Sequence, residues 1–317
     1  MESINKRKIS IIAPAFNEED CVVELAARLT DVFQQNPNYD FEAILVENGS
    51  SDRTFELLSE IHEKDSRFTV LTLAKNFQTD GGISAGLSIA DGDAAVLMTA
   101  DLQDPPELIN EFIKLWEDGY ENIYMIVTKR TGVPWLRRLN SQLFYSFAKH
   151  VASIEIPRNA SDYRLVDKKV YEVVRDMPER NRFMRGLFAW VGFKSIGIEA
   201  ERPERFGGTS KAFSMRVFNL GLRGVLSHSY RPLRLITVFG ILLSFLSILS
   251  IGILSIDWVL NGVPFPGFGS LISLQLLLFG LLFLIIGIVS EYVSLIYEEV
   301  KQRPNFIVSS IQRKSSK

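Results

Sequence analysis

Between Arg234 and Glu291 the chain carries one charge, Asp257. That stretch holds 22 uncharged residues from Leu235 to Ile256 and 20 more from Leu271 to Ser290. Roughly 20 apolar residues are what a helix needs to cross a bilayer core. Soluble helices rarely stay apolar on every side for so long, because one face must meet water. The pattern predicts a transmembrane hairpin over 235–296, with spans near 235–256 and 271–293. A buried helical hairpin in a soluble protein is the alternative.

The flanks orient the hairpin. Arg223, Arg231 and Arg234 precede the first span; Lys301, Arg303, Arg313, Lys314 and Lys317 follow the second. The connecting DWVLNGVPFPGFGS has no Lys or Arg, so the positive-inside rule puts both termini in the cytoplasm and this loop outside. The expected location is the inner or plasma membrane, with residues 297–317 as a cytoplasmic tail. The start, MESINKRK, runs straight into a strand-like stretch and shows no signal-peptide pattern. The sequons at Asn48 and Asn159 then read as chance matches. Over 205–234, Arg216, Asn219 and Arg223 share one helical stripe, with Phe213, Val217, Phe218, Leu220, Leu222 and Val225 around the rest. That suits a helix lying on an anionic membrane face; an amphipathic helix packed on the soluble part is the other reading.

Residues 1–204 read as a separate α/β unit. KISIIA (8–13), Phe41 to Val46, Phe68 to Leu73, Ala94 to Met98 and Ile123 to Val127 are strand-like runs. Between the first two, Val22, Leu25, Ala26, Leu29 and Phe33 form one helical face. Ser50 or Ser51 is placed to cap a helix through Ile61, and Pro105-Pro106 to open another. Strands alternating with helices predict a parallel sheet with right-handed crossovers. Lys plus Arg number 35 and Asp plus Glu 37, a near balance that argues against binding nucleic acid by bulk charge. Hydrophobic residues at 47% exclude a disordered chain, and the lone Cys21 excludes a disulfide framework or a cysteine-rich zinc site.

Ligands of open α/β sheets bind beyond the carboxyl ends of the strands. Three acidic strand ends converge there: Pro14-Ala15-Phe16-Asn17-Glu18-Glu19, Glu47-Asn48-Gly49-Ser50-Ser51-Asp52, and Asp101-Leu102-Gln103-Asp104-Pro105-Pro106. Taken alone, Asp52 and Asp104 read as helix caps; the three ends together read as a ligand site. There is no Walker A pattern, no G-x-G-x-x-G after the first strand, no HExxH and no G-x-S-x-G. An acidic site that must take a nucleotide diphosphate calls for a divalent cation, and Asp101 with an oxygen of Gln103 suits a hard one.

The pieces APAFNEED, VENGSSD and ADLQDPPE, followed by NASDYRL, ERNRFMRGLFAWVGF, RFGGTSK and SEYVSLIYEEVKQRP, resemble the family 2 glycosyltransferases of GT-A fold. Within them the match is to the polyprenyl-phosphate glycosyltransferases, specifically the GtrB-type bactoprenol glucosyltransferases with two C-terminal spans. Dolichyl-phosphate mannose synthase is more distant. The resemblance covers residues 8 to 308. It implies a GT-A nucleotide-sugar-binding domain followed by the hairpin, transfer of glucose from UDP-glucose to undecaprenyl phosphate at the cytoplasmic face, and a homotetramer. By the same resemblance, Pro14, Phe16, Asn17, Glu18, Glu47, Asp52, Lys75 and Asp101 hold the nucleotide sugar. Asp101 and Gln103 bind Mg2+ or Mn2+, with Thr99 where relatives carry the first acid of a D-x-D-x-Q pattern. Asn159-Ala160-Ser161 replaces a more usual Asp-x-Gly.

A lipid phosphate has a second pKa of about 6 and is already mostly ionised at neutral pH, so it needs no strong general base. It needs cations that hold it in line, and arginine's planar fork fits phosphate. Arg164, Arg182, Arg185, Arg205 and Lys211 are the candidates; Asp162 orients acceptor or sugar. Asp101, Asp162 and Arg164 form the expected catalytic set. A single in-line displacement inverts the anomeric carbon. Other donors, GDP-mannose or a UDP-N-acetylhexosamine, give the same chemistry. A processive synthase would carry Q-x-x-R-W and more spans, which are absent here. A non-catalytic nucleotide-sugar sensor is the non-enzyme reading, favoured only by Thr99.

Overall fold

The computed structural model describes residues 6–128, 157, 159–180, 182–203, scattered positions within 242–262, and 267–313. Strand β1 (Lys8–Ala15) leads into α1 (Val22–Gln35), β2 (Asp40–Glu47), α2 (Thr54–Lys64), β3 (Phe68–Leu73), α3 (Gln78–Ile89) and β4 (Ala94–Leu97). A 3-10 turn at Pro106–Leu108 precedes α4 (Ile109–Glu117) and β5 (Asn122–Val127). Next come β6 (Ala160–Asp167), α5 (Lys168–Asp176), α6 (Met184–Trp190) and β7 (Ser195–Ala200). The long helix α7 (Phe268–Lys301) and strand β8 (Val308–Gln312) complete the described elements.

The eight strands form one sheet in the order β7-β5-β6-β4-β1-β2-β3-β8. Strands β1 to β4 are parallel, as the alternating pattern predicted, with Ile9 paired to Phe41 and Ala94. The expected all-parallel sheet is corrected elsewhere. Strand β6 runs antiparallel to β4 and β5, and β8 antiparallel to β3. These reversals depend on long-range pairing, such as Leu97 with Arg164, which strand-by-strand patterning does not report.

Both faces of the sheet are covered. Ile9, Ile11 and Ala13 pack with Leu25, Leu29 and Phe112 on one side. Ile12 packs with Ile83, Val170, Leu187 and Phe188 on the other. This two-sided burial explains why β1 reads as a continuous apolar run rather than an alternating one. The predicted face of α1 is buried throughout. Helix α3, for which no pattern was identified in the sequence, lies so close to β1 that a Cβ at Gly82 would sit 2.7 Å from the Pro14 Cβ.

Helix α7 holds a 25-residue stretch, Leu277–Lys301, long and apolar enough to cross a membrane. Its Leu277, Phe279, Phe283 and Ile286 are exposed rather than packed in the protein. The first predicted span lies mostly outside the described residues; scattered positions there, from Leu242 to Asn261, are helical. Segment 205–234 lies outside them entirely.

The stretch expected as a tail contributes a strand. After α7 the chain turns at Gln302 and re-enters the sheet through β8, where Ala74 N donates to Ile307 O at 2.9 Å. Arg180 N donates to Glu299 Oε1 at 2.8 Å, and Asn305 Nδ2 to Glu179 O at 3.0 Å. The end of the long helix is thus tied to loops at the carboxyl end of the sheet.

Candidate active site

Among the described residues, four of the five non-glycine residues with positive φ lie at that carboxyl end: Asn17, Gln78, Leu102 and Asn159. Such conformations cost energy and concentrate where geometry must be held for function. At the end of β1, Asn17 ties two turns together. Its Oδ1 accepts from Ser51 N at 2.8 Å, and its own amide donates to Ser50 Oγ at 3.1 Å. Glu18 N donates to Thr54 Oγ1 at 2.9 Å, and Glu19 N to Asp52 Oδ2 at 3.2 Å. The start of α2 is bonded by Asp52, whose Oδ1 accepts from Thr54 N at 3.0 Å, and not by Ser50 or Ser51 as expected. Burial opposes the charge on Asp52, but the Thr54 and Glu19 donors hold its carboxyl below the usual range.

Glu47 is buried at the end of β2 and accepts from Ser50 N. Asn48, only 2% exposed, donates to Gln78 O and accepts from Phe77 N, each at 2.9 Å. It locks the β2 turn to the β3–α3 loop. Gly49, at φ +72°, comes so near that loop that a Cβ would lie 2.5 Å from Lys75 C. Phe16 is half-buried, and exposed Lys75 holds its ammonium 5.1 Å from the Phe77 ring. The fold therefore gathers Pro14, Phe16, Asn17, Glu18, Glu47, Asp52 and Lys75 onto one rim.

Beyond β4, Asp101 is 6% exposed and Asp104 1%. The Thr99 hydroxyl sits between them, 2.8 Å from Asp101 Oδ1 and 2.7 Å from Asp104 Oδ2. Asp101 Oδ1 also accepts from Gln103 N at 3.2 Å. Asp104 is not the helix cap expected: it accepts from Thr99 N at 2.9 Å and from Arg202 Nη2 at 3.2 Å. Burial raises its pKa, and Arg202 and Thr99 only partly counter that. Threonine at 99 thus bridges two acids, where a third carboxylate would add repulsion.

Among the described residues no group of three or more His, Cys, Asp or Glu is placed to hold a metal. The Asp101 carboxylate and the Gln103 side-chain amide offer two hard oxygen donors. Donors of that kind fit a hard divalent cation.

Strand β6 runs beside β4, and Tyr163 Oη donates to Pro105 O at 2.8 Å, so Asp162 and Arg164 lie next to the Asp101 loop. Arg185, from the first turn of α6, grips Asp162 through two contacts, Nε to Oδ1 at 3.0 Å and Nη2 to Oδ2 at 2.6 Å. Burial opposes the Asp162 charge; Arg185, then Arg164 and Arg202, overcome it and hold the carboxyl below its usual range. Arg164 is 3% exposed and donates to Ser161 O at 3.0 Å and Asp162 O at 3.3 Å. Its guanidinium lies 4.8 Å from the Phe188 ring, and burial brings its pKa down to about 10, still cationic at neutral pH.

Arg182 is placed differently from the other acceptor candidates. Its guanidinium donates to the carbonyls of Glu179, Arg175 and Met177, closing the end of α5. Arg205 and Lys211 lie outside the described residues. Three site neighbours escaped the sequence reading: Asp80, which joins the Asp162 cluster, Arg202, and Asp104 in its paired role. Asp80 and Arg202 carry no local signal, because their partners are 104 and 98 residues away in the chain.

Residues 10–175 match the family described as Glycosyl transferase family 2. A glycosyltransferase of Synechocystis, sll0501, described as uncharacterized, is 36% identical over 304 residues, covering 96% of this chain and 95% of its own. The uncharacterized glycosyltransferase YkcC of Bacillus subtilis is 38% identical over 299 residues, covering 94% and 92%. The bactoprenol glucosyl transferase of Shigella phage SfII is 33% identical over 306 residues, covering 96% and 99%. With its GT-A-like mixed sheet and a family match over more than half its length, the chain belongs to glycosyl transferase family 2.

Proposed function

We propose that this glycosyltransferase moves a hexose, glucose from UDP-glucose, onto a polyprenyl phosphate of the undecaprenyl type at the cytoplasmic face of the cell membrane. The observation that carries this is the juxtaposition of two unlike ends. The oxygen-rich β1, β2 and β4 ends suit a nucleotide diphosphate with its cation; the adjoining Arg164–Asp162–Arg185 cluster suits an anionic acceptor. Near full-length similarity to a bactoprenol glucosyl transferase supports the lipid acceptor and the glucose. The exposed apolar helix α7 supports a membrane setting.

The acceptor phosphate arrives ionised, so Arg185 and Arg164 orient it and screen its charge against that of the donor. Asp162, kept ionised by those arginines, fixes their forks in place. Asp101 and Gln103 would hold Mg2+ or Mn2+, which when bound stabilises the departing diphosphate. Attack from the face opposite the nucleotide inverts the anomeric carbon. The test uses full-length protein in detergent with a panel of nucleotide sugars and undecaprenyl phosphate. UDP release that requires the lipid, with UDP-glucose preferred, is expected. Release independent of the lipid, or none with any donor, sinks the reading.

Topology and assembly belong to the same proposal. The contacts of Glu299 and β8 with the catalytic sheet favour one side of the membrane for both, with the loop near Gly267 on the other. A Gly267→Cys variant should label from outside intact cells; labelling only from the cytoplasm refutes the hairpin. Two spans are few to shelter a headgroup, and a homotetramer is expected. An active monomer by mass measurement in mild detergent refutes it.

A further inference from the structure

Helix α6 begins without a side-chain cap from Phe183, the residue before it. The amide of its first residue, Met184, donates instead to Asp80 Oδ1 at 3.4 Å, from the first turn of α3. Ser84 Oγ, one turn further along α3, lies 3.8 Å from Met184 Sδ. The next residue of α6, Arg185, makes the paired contact with Asp162. We propose that Asp80 is a positioning residue for the anion-binding end of the site: it fixes the start of α6 and sets the net charge that Arg164 and Arg185 present to an acceptor phosphate. The assignment of the phosphate rests on the function proposed above.

The charged groups facing Asp80 come from two elements: Asp162 and Arg164 from β6 and Arg185 from α6. Arg202, already paired with Asp104, adds its charge toward Asp162, and Tyr124 of β5 faces Arg164. Tyr124 is raised by burial and stays neutral, while Asp162 stays ionised. Burial first, then the negative charge of Asp162, push the Asp80 carboxyl up to about 7, against the Met184 amide and the two arginines. Asp80 is therefore the member of the cluster that changes charge near neutral pH. While it is protonated, two arginines outnumber Asp162 and the end carries excess positive charge. Once it ionises, that excess is cancelled and affinity for an anion falls. Its α3 neighbour Gly81 packs against Asn305 O of the α7–β8 connection, which braces the turn from the other side.

The experiment measures sulfate binding to the full-length protein by thermal shift, at about pH 6 and about pH 8. Sulfate keeps the same charge at both, so any change belongs to the protein. Wild-type affinity should weaken about three- to tenfold between them, the size expected for one charge gained at ion-pair range. Asp80→Asn keeps an oxygen for the Met184 amide but cannot ionise; its affinity should be the same at both pH values. Asp80→Ala loses the amide contact and should lower kcat at every pH with the KM for the nucleotide sugar unchanged. Arg185→Ala should abolish the pH-dependent response. Parallel sulfate curves for wild type and Asp80→Asn overturn the proposal, as does a pH-dependent response that survives Arg185→Ala. The expected sulfate pattern without transfer to polyprenyl phosphate refutes the acceptor assignment and leaves the role of Asp80 standing. Transfer with parallel curves does the reverse.

Discussion

At the proposed donor end, Asn17, Asn48 and Asp52 accept from backbone amides that lie in the loops after β2 and β3 or at the first residue of α2. At the proposed acceptor end, Asp80, Asp162 and Arg185 bond across α3, β6 and α6, side chain to side chain or side chain to a distant amide. The first end is a set of turns pinned by neutral and charged acceptors. The second is a balance of charges around the buried Arg164, with Asp162 and Arg185 partly exposed. Turn geometry tolerates the loss of one bond among several, because water can replace it at a partly exposed rim. The loss of the buried Arg164 is less well tolerated, because the groups it compensates keep little access to water.

The sharpest way to break the contrast is Arg164→Ala. Removing this cation leaves Ser161 O without its donor and Asp162 with less compensation, and should destabilise the fold by about 3 kcal/mol or more. Arg164→Lys should recover part of that, since a point charge cannot reproduce the fork. Denaturant unfolding of the purified protein measures both; a loss within a few tenths of wild type refutes the description of this end.

Asp101→Ala comes next. It removes the carboxylate at the end of β4 and should lower transfer about a hundred- to a thousandfold, with chelation of the parent enzyme doing the same. Full activity of the variant, measured as acceptor-dependent UDP release, removes Asp101 from the metal assignment. Arg185→Ala should lower transfer about ten- to a hundredfold, with binding of the nucleotide sugar nearly unchanged. A rise in the nucleotide-sugar KM instead would place Arg185 at the donor end and erase the division into two ends.

Asn17→Ala tests the tolerant end. It removes the acceptor for Ser51 N and forces alanine to φ near 55°, so about 1–2 kcal/mol of stability should be lost, with a modest rise in donor KM. A collapse of folding would show that the turns are no more forgiving than the ion cluster.

A further test is a pH slope. Asp80 is raised from an ordinary value of 3.8 to about 7 in the folded state. Between those values the folded protein holds a proton that the unfolded chain has released. Stability from this group is complete below 3.8 and is lost as pH rises toward 7. Asp162, Asp52 and Glu107 are lowered and act in the opposite sense, losing stability as pH falls through their folded values. Asp80→Asn should therefore remove a downward slope between about pH 5 and about pH 7 while leaving the acid limb in place. An unchanged slope argues that Asp80 ionises normally.

The donor end was legible because its residues are contiguous. APAFNEED, VENGSSD and ADLQDPPE each place polar groups within a few residues of a strand end, and a strand end is recognisable from its apolar run. Asp52 and Asp104, which taken alone both read as helix caps, part company: Asp52 accepts from Thr54 N at the start of α2, and Asp104 accepts from Thr99 and Arg202. A carboxylate seven residues beyond β4 looks the same whether it meets a helix amide or a half-buried arginine 98 residues away. Asp162 and Arg164 were identified as a pair through their two-residue spacing in an extended strand, and β6 does present them to the same side.

What the sequence determined by itself was what short-range periodicity and local chemistry control: the buried face of α1, the five strand cores from β1 to β5, and a long apolar helix toward the C-terminus. Hydrophobic spacing is a property of neighbouring residues, so it survives without knowledge of the fold. The reversed direction of β6, the return of residues 308–312 to the edge of the sheet, the contact of Asp80 with Met184, and the pairing of Arg202 with Asp104 were decided only in the tertiary structure. Each is a choice among many distant partners that are equivalent in sequence, and it is settled by which pairing buries the most apolar surface while leaving the fewest charges uncompensated.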